Sequence, residues 1–342
     1  MSTKTEAIIV PAKGEPFGLA EIELEQPQGD EVLVKIVACG TSPPSHPAIP
    51  SSSPTPRAPP VPSCKSKKPY ACPQWQAMNF GRQRSVEMGN KAGAVMADGK
   101  GGEVYGAFFG QSSMGRMALV SEASCIKVPE GTDLESLAPL GCGLMTGAGA
   151  VINRLSPPPE SSIAIYGLGA VGMAGILAAA HLQVRTIIAI DLVPTRLTTA
   201  KEFGATHTLD ARAPDLVAQV RALTLHGAGS EYTLEASGNM RAFRTAYEAT
   251  APGGHMTSAG TPGPGVKPDF DIFEHVCTAK TYSAVLMGCC YPREFVPFLI
   301  DLHRQGKFPI EKISRKYTPA EFDKAVHDME SGEVIKPIIV FK

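Results

Sequence analysis

A chain of 342 residues with 43 % hydrophobic content and a net charge of −1 reads as an ordinary soluble protein, long enough for two domains and a sizeable core. That balance excludes a nucleic-acid binder, a membrane-surface binder and an enzyme of polyanionic substrates. The start, MSTKTEAIIVPAKGE, has no apolar signal core, no apolar stretch is long enough to span a bilayer, and eight cysteines are too sparse for a disulfide scaffold. A cytoplasmic location is therefore expected, with the cysteines serving as ligands, catalytic groups or small buried hydrophobes.

In chain order, residues 6–40 alternate as strands do, most clearly in AIIV and EVLVKIVACG. The composition then changes abruptly. Residues 43–63 hold nine prolines and five serines in twenty-one residues. Proline cannot donate to a sheet ladder, so this stretch predicts an extended or irregular loop. Residues 64–79 are protein-like again, and 84–103 suggest a polar loop. Strand patterns return at 104–109 and 117–120, and a helix is expected from Asp133.

Residues 161–191 organise the remainder. A short apolar run, Ile163-Ala164-Ile165-Tyr166, meets Gly167-Leu168-Gly169-Ala170-Val171-Gly172; an Ala/Leu-rich helix pattern follows, then a β-branched run ending at Asp191. Strand, G-x-G-x-x-G turn, helix, strand and terminal acid form the full context of the dinucleotide fingerprint. Gly167 permits the tight turn, Gly169 lets backbone approach a pyrophosphate, and Gly172 lets helix and strand pack closely. The helix N-terminus offers N–H groups and a positive dipole end to phosphates. Asp191 is placed to accept from ribose hydroxyls, and its charge favours NAD over NADP. Further strands at 206–209, 232–236, 255–259 and 282–286 alternate with helices at 194–203, 213–225 and 240–250, which predicts a doubly wound parallel sheet. Helices at 293–305 and 320–330 and a strand at 336–341 close the chain.

Five stretches, EVLVKIVACG, VYGAFFGQSSMGRMALVSEASCIKVPEG, GCGLMTGAGAV, GLGAVG with Asp191, and SGEVIKPIIVF, resemble the zinc-type alcohol dehydrogenases of the medium-chain dehydrogenase/reductase superfamily, closest to the aryl-alcohol branch. The resemblance implies an α/β chain: a GroES-like β-barrel catalytic domain over residues 1–150, a Rossmann NAD-binding domain over 151–290, and a return to the catalytic domain over 291–342. It also implies a cleft holding NAD and a primary, aromatic or allylic alcohol or aldehyde, and a homo-oligomer. Residue by residue, Cys142 matches the third catalytic zinc ligand and Thr146 a nicotinamide-pocket threonine. Arg196 resembles a basic residue near the adenosine, and Lys336 one near the pyrophosphate. Each has a plainer reading: Arg196 and Lys336 as surface charges, Cys142 as a small buried hydrophobe.

The zinc pattern is broken. Catalytic zinc needs three protein ligands and an open position. Ser42 stands where the family's first ligand cysteine would be, Cys39 matches a non-ligand cysteine, and Pro44 replaces the proton-relaying hydroxyl residue. The GHE histidine motif is absent; His46, in the proline tract, is the only histidine before residue 181. Cys64 and Cys72 match the last two cysteines of the structural lobe C-x2-C-x2-C-x7-C, and the first two are missing, so no stable structural zinc is expected. The interval from Ser42 to Cys64 is also shorter than the family's. Either the chain is a derivative that lost zinc, or residues 43–63 reflect a mis-spliced or frame-shifted segment.

Three functions compete: an NAD-dependent alcohol oxidoreductase, a zinc-independent NAD(P)H reductase of activated C=C bonds, and a repurposed non-redox protein on the same scaffold.

Overall fold

The computed structural model describes residues 2–11, 15–29, 31–40, 62–73, 75, 79, 94–98, 102–104, 113–268 and 271–341. The chain divides into two compact units. One comprises Met1–Cys142, Cys290–His303 and Pro309–Lys342, and the other Gly143–Cys289 and Arg304–Phe308.

The first unit is built from short strands: β1 (Thr3–Ile9), β2 (Gly18–Leu24), β3 (Glu31–Lys35), β4 (Ala38–Gly40), β5 (Ala94–Met96), β6 (Glu103–Val104) and β7 (Met117–Ser121). They form an antiparallel sheet in the order β1-β2-β5-β6 and a separate β3-β7 ribbon, in which Val32 faces Val120. Ala7, Ile22, Leu24 and Ala94 pack together as one small core. Two expectations need correction here. The stretch 84–103 is not wholly loop, because Ala94–Met96 and Glu103–Val104 pair as strands. The irregular stretch also ends before residue 63, since Pro62 opens a helical turn, Pro62–Lys65. Proline is tolerated in a first turn, whose N–H groups have no partner in any case. Asp133 caps the turn Leu134–Leu137 by accepting from the Glu135 and Ser136 amides, as its position suggested. Most of the expected strand at 104–109 lies outside the described residues.

The second unit carries the alternating pattern. It contains β8 (Ser162–Tyr166), β9 (Thr186–Asp191), β10 (His207–Asp210), β11 (Ser230–Glu235), β12 (Thr250–Ser258) and β13 (Thr281–Ala284). All six are parallel, in the order β10-β9-β8-β11-β12-β13. The helices are α1 (Gly143–Gly149), α2 (Ala170–His181), α3 (Pro194–Glu202), α4 (Leu216–Ala222), α5 (Met240–Ala249) and α6 (Ile272–Thr278). Strands buried on both faces should be apolar throughout. Ile163, Ala164, Ile165, Ile187, Ile188 and Ala189 are accordingly almost wholly shielded from water. Each large side chain of this kind contributes on the order of 1.5–3 kcal/mol.

The remaining elements return to the first unit: α7 (Pro292–Arg304), β14 (Ser314–Tyr317), α8 (Phe322–Glu330) and β15 (Lys336–Val340). β15 lies between β14, parallel, and β4, antiparallel, with Ile339 opposite Cys39. Tyr317, Phe322, Ala325, Val334, Ile339 and Phe341 close over Cys39 as a second core. A capping box between Thr318 and Glu321 precedes α8.

Tyr166 is 1 % exposed, its hydroxyl has no hydrogen-bond partner among the described residues, and burial pushes that hydroxyl's pKa far up. A buried polar atom left unpaired destabilises, so Tyr166→Phe should raise the unfolding free energy by about 1 kcal/mol, read by urea titration. Asp328 is the opposite case: its buried carboxylate accepts from Lys324 Nζ at 2.5 Å and the Tyr317 hydroxyl at 2.7 Å, with Arg315 at 3.4 Å. Lys324, then Tyr317, holds it below the usual carboxylate range. A carboxylate whose pKa is depressed on folding stabilises above its unfolded value of about 4 and stops doing so as pH falls through its folded value. Asp328→Asn should therefore lower the midpoint at pH 7 and weaken the loss of stability below about pH 4, measured by denaturation across pH.

Candidate functional site

The glycine turn joins β8 to α2. Gly167 has φ +85°, and a Cβ on it would lie 2.8 Å from the Ser237 backbone. A Cβ on Gly172 would sit 1.9 Å from the Gly167 carbonyl oxygen, whereas nothing among the described residues lies within 4 Å of one on Gly169. The turn is thus tight where it packs and open where a ligand would approach. Val171 sits half-buried in the first turn of α2, whose opening N–H groups have no partners within the helix.

Asp191 ends β9 and is buried. Its Oδ2 accepts from Leu168 N at 2.6 Å and its Oδ1 from Val193 N at 2.8 Å. One carboxylate thereby fixes both the glycine turn and the entry to α3. Arg196 lies in the first turn of α3, half-buried, with its Nε–H enclosed and without an acceptor among the described residues. An open cradle at a helix N-terminus, a carboxylate closing the second strand and an unsatisfied arginine donor fit a dinucleotide. Thr146 is half-buried in α1.

A second site lies wholly in the first unit: a cavity of about 280 Å³, walled by apolar side chains including Ile36, Val120, Leu137 and Ile300. Cys39, Cys142 and Lys336 also line it. Lys336, at the start of β15, is 4 % exposed, and its side chain lies over Gly40. Burial lowers the Lys336 pKa, opposed by Cys142 and then Cys39. Burial likewise raises that of the Cys39 thiol, opposed by its hydrogen bond with Ser113 Oγ at 3.0 Å and by Lys336. The structure thus places Lys336 beside two thiols. Cys39 belongs to this cluster although its motif position marked it as a bystander; its seat at the end of β4 next to Gly40 is the signal that would have found it.

Zinc does not fit the described residues. No three His, Cys, Asp or Glu side chains converge among them, and the third group beside Cys39 and Cys142 is an amine. Ser42, Pro44 and His46 lie outside the described residues, as does the Cys64 side chain. Cys72 is buried with a free thiol.

The six-stranded parallel sheet and its glycine turn define a Rossmann-type fold. Residues 170–303 match the family model described as zinc-binding dehydrogenase. The chain is 36 % identical over 280 residues to a geraniol dehydrogenase of Castellaniella defragrans, covering 82 % of this chain and 73 % of that one. Two solved structures are similar along their whole length. A zinc-binding-domain alcohol dehydrogenase from Burkholderia ambifaria has TM-score 0.89 at 33 % identity, covering 100 % of both chains. The benzyl alcohol dehydrogenase from Acinetobacter calcoaceticus has TM-score 0.85 at 31 % identity, covering 99 % of this chain and 100 % of that one. The chain belongs to the zinc-type alcohol dehydrogenase family.

Two alanine substitutions separate the jobs of the turn glycines. Gly172→Ala forces a Cβ into backbone and should destabilise by ~3 kcal/mol. Gly169→Ala meets open space and should change stability by less than about 0.5 kcal/mol. Denaturant titration of both variants checks the pair.

Proposed function

We propose that this chain is an NAD-dependent oxidoreductase that interconverts a small primary alcohol, aromatic or allylic, and its aldehyde. The observation that carries the proposal is the open Gly169 cradle at the α2 N-terminus with Asp191 beneath it. In this reading Gly169 and the first N–H groups of α2 hold the pyrophosphate, and Arg196 lies along the adenosine. Asp191 faces the ribose and, being anionic, disfavours a 2′-phosphate, which selects NAD over NADP. The bound dinucleotide supplies the hydride acceptor; the chain's part is to hold and orient it. Thr146 is assigned to the nicotinamide pocket by the same reading. The names of the related geraniol and benzyl alcohol dehydrogenases support the substrate class.

No single helix among the described residues is long and apolar enough to cross a membrane. The described cysteines are all free thiols, in keeping with a cytoplasmic enzyme. We assign a homodimer formed along β13, the edge strand of the parallel sheet. The preceding α6 exposes Ile272 (66 %), Phe273 (77 %) and Val276 (70 %), an apolar face that a second copy would cover.

That no zinc donor set converges among the described residues favours a second reading, metal-free reduction of an activated C=C bond by NADH. Appearance of NADH with benzyl alcohol or geraniol establishes the first reading. NADH consumption by an enone, without alcohol turnover, establishes the second. Absence of both, with NADH bound, leaves a non-redox protein. Gly169→Ala should weaken NADH binding about tenfold in calorimetry while leaving the fold intact. Phe273→Asp should convert a dimer to a monomer in light scattering; an unchanged mass would sink the β13 assembly.

A further inference from the structure

The geometry points to Lys336 as a metal-free anchor for the substrate's oxygen: its buried side chain lines the cavity in the first unit, beside Gly40, and its Nζ donates a hydrogen bond to the hydroxyl or carbonyl oxygen of a small apolar alcohol or aldehyde. The inference rests on the substrate class proposed above and departs from it in giving the oxygen to an amine of the chain.

Four observations converge on it. The cavity is apolar along most of its wall, through Ile36, Val120, Leu134, Leu137, Val296 and Ile300, and at about 280 Å³ it has room for a single aryl or short allylic group. Among the described lining residues the charged side chain is one lysine, 4 % exposed. A small number of polar groups in an otherwise apolar pocket is the usual means of orienting a ligand. The lysine's main chain is also held in place. Its backbone amide donates to the Ile313 carbonyl at 2.9 Å, and β15 is paired on both sides. A Cβ built on Gly40 would come within 2.9 Å of Lys336 Cε and 3.6 Å of Nζ, so Gly40 is the floor on which the head rests.

The neighbours finish the argument. Cys39 and Cys142 share the cavity wall and interact electrostatically with Lys336. Two thiols and an amine are a poor set for a divalent cation, because a lysine head beside them repels the ion when protonated and is not among zinc's ordinary protein ligands. An amine N–H nevertheless donates to an oxygen lone pair in either protonation state. The same three groups therefore disfavour the ion and supply a donor in its place.

The test uses the full chain and benzyl alcohol as probe, in two arms. Zinc per chain is measured by elemental analysis after equilibration with excess zinc and desalting. Benzyl alcohol binding is followed by saturation-transfer NMR before and after chelator treatment. We expect no retained zinc and saturable binding that the chelator leaves unchanged. Lys336→Met, which keeps the stem's length and removes the donor, should weaken binding about tenfold. Gly40→Ala keeps the amine but displaces its head; it should weaken binding severalfold with an unaltered circular dichroism spectrum, and it decides the matter if Lys336→Met fails to fold. One zinc per chain that Cys142→Ser releases and whose removal abolishes binding overturns the inference. So does wild-type affinity in a folded Lys336→Met or Gly40→Ala, or no binding by the wild type. NADH binding, measured in parallel, separates the two claims: its loss refutes the dinucleotide function and leaves the lysine anchor standing.

Discussion

The Asp191 carboxylate is the interaction on which the nucleotide unit depends. It is buried, and each of its oxygens takes a backbone N–H, one from Leu168 within the glycine turn and one from Val193 before α3. Charge-assisted hydrogen bonds to backbone are among the stronger ones a protein makes, and burial at the end of β9 strengthens them further. Through them the first crossover, the second strand and the second helix share a single fixed point. The close contact of Gly172 with the Gly167 carbonyl then leaves the turn no other path. Residues that would face a cofactor are consequently positioned before any cofactor arrives, which spares the binding step the entropy of ordering a loop.

Much of this was legible in the amino-acid sequence because it is local. The run Ile163 to Tyr166, the spaced glycines, the alanine-rich helix and Asp191 each declare their conformation within a few residues, and the strands and crossovers that follow obey the same short-range grammar. The segment GLMTGAG was less legible. Glycine disfavours helix interiors, yet Gly143–Gly149 is helical and buried. A Cβ at Gly147 would lie 1.9 Å from the Val171 carbonyl, and one at Gly149 2.2 Å from that of Gly288. Long-range contact, absent from any local pattern, decides that helix. The strands Ala94–Met96 and Glu103–Val104 are missed because they are short, and the first of them is seated by a distant partner, β2.

The site beside Cys142 shows where motif matching misleads. Cys142, Lys336 and Cys39 each have a counterpart in the family's text, and each counterpart suggests a separate role: ligand, phosphate contact, bystander. The fold gathers all three around one cavity, because β4 and β15 pair and the turn ending at Cys142 closes beside them. Side by side in one wall, an amine and two thiols form a chemical environment that none of the three matches describes alone. The nucleotide unit, by contrast, keeps every part of its pattern.

The two units differ in how they are held together, and this governs how the chain comes apart. The parallel sheet has a continuous interior of fully shielded aliphatic side chains, while the sheets of the first unit are short and their cores are a handful of residues each. Where separate cores of unequal size melt as separate cooperative blocks, all-or-none unfolding fails and a heating curve is a superposition of two events whose apparent midpoint belongs to neither. A dinucleotide bound to the larger block displaces that block's transition by mass action and leaves the other where it was. Calorimetry thus resolves which half a ligand has found.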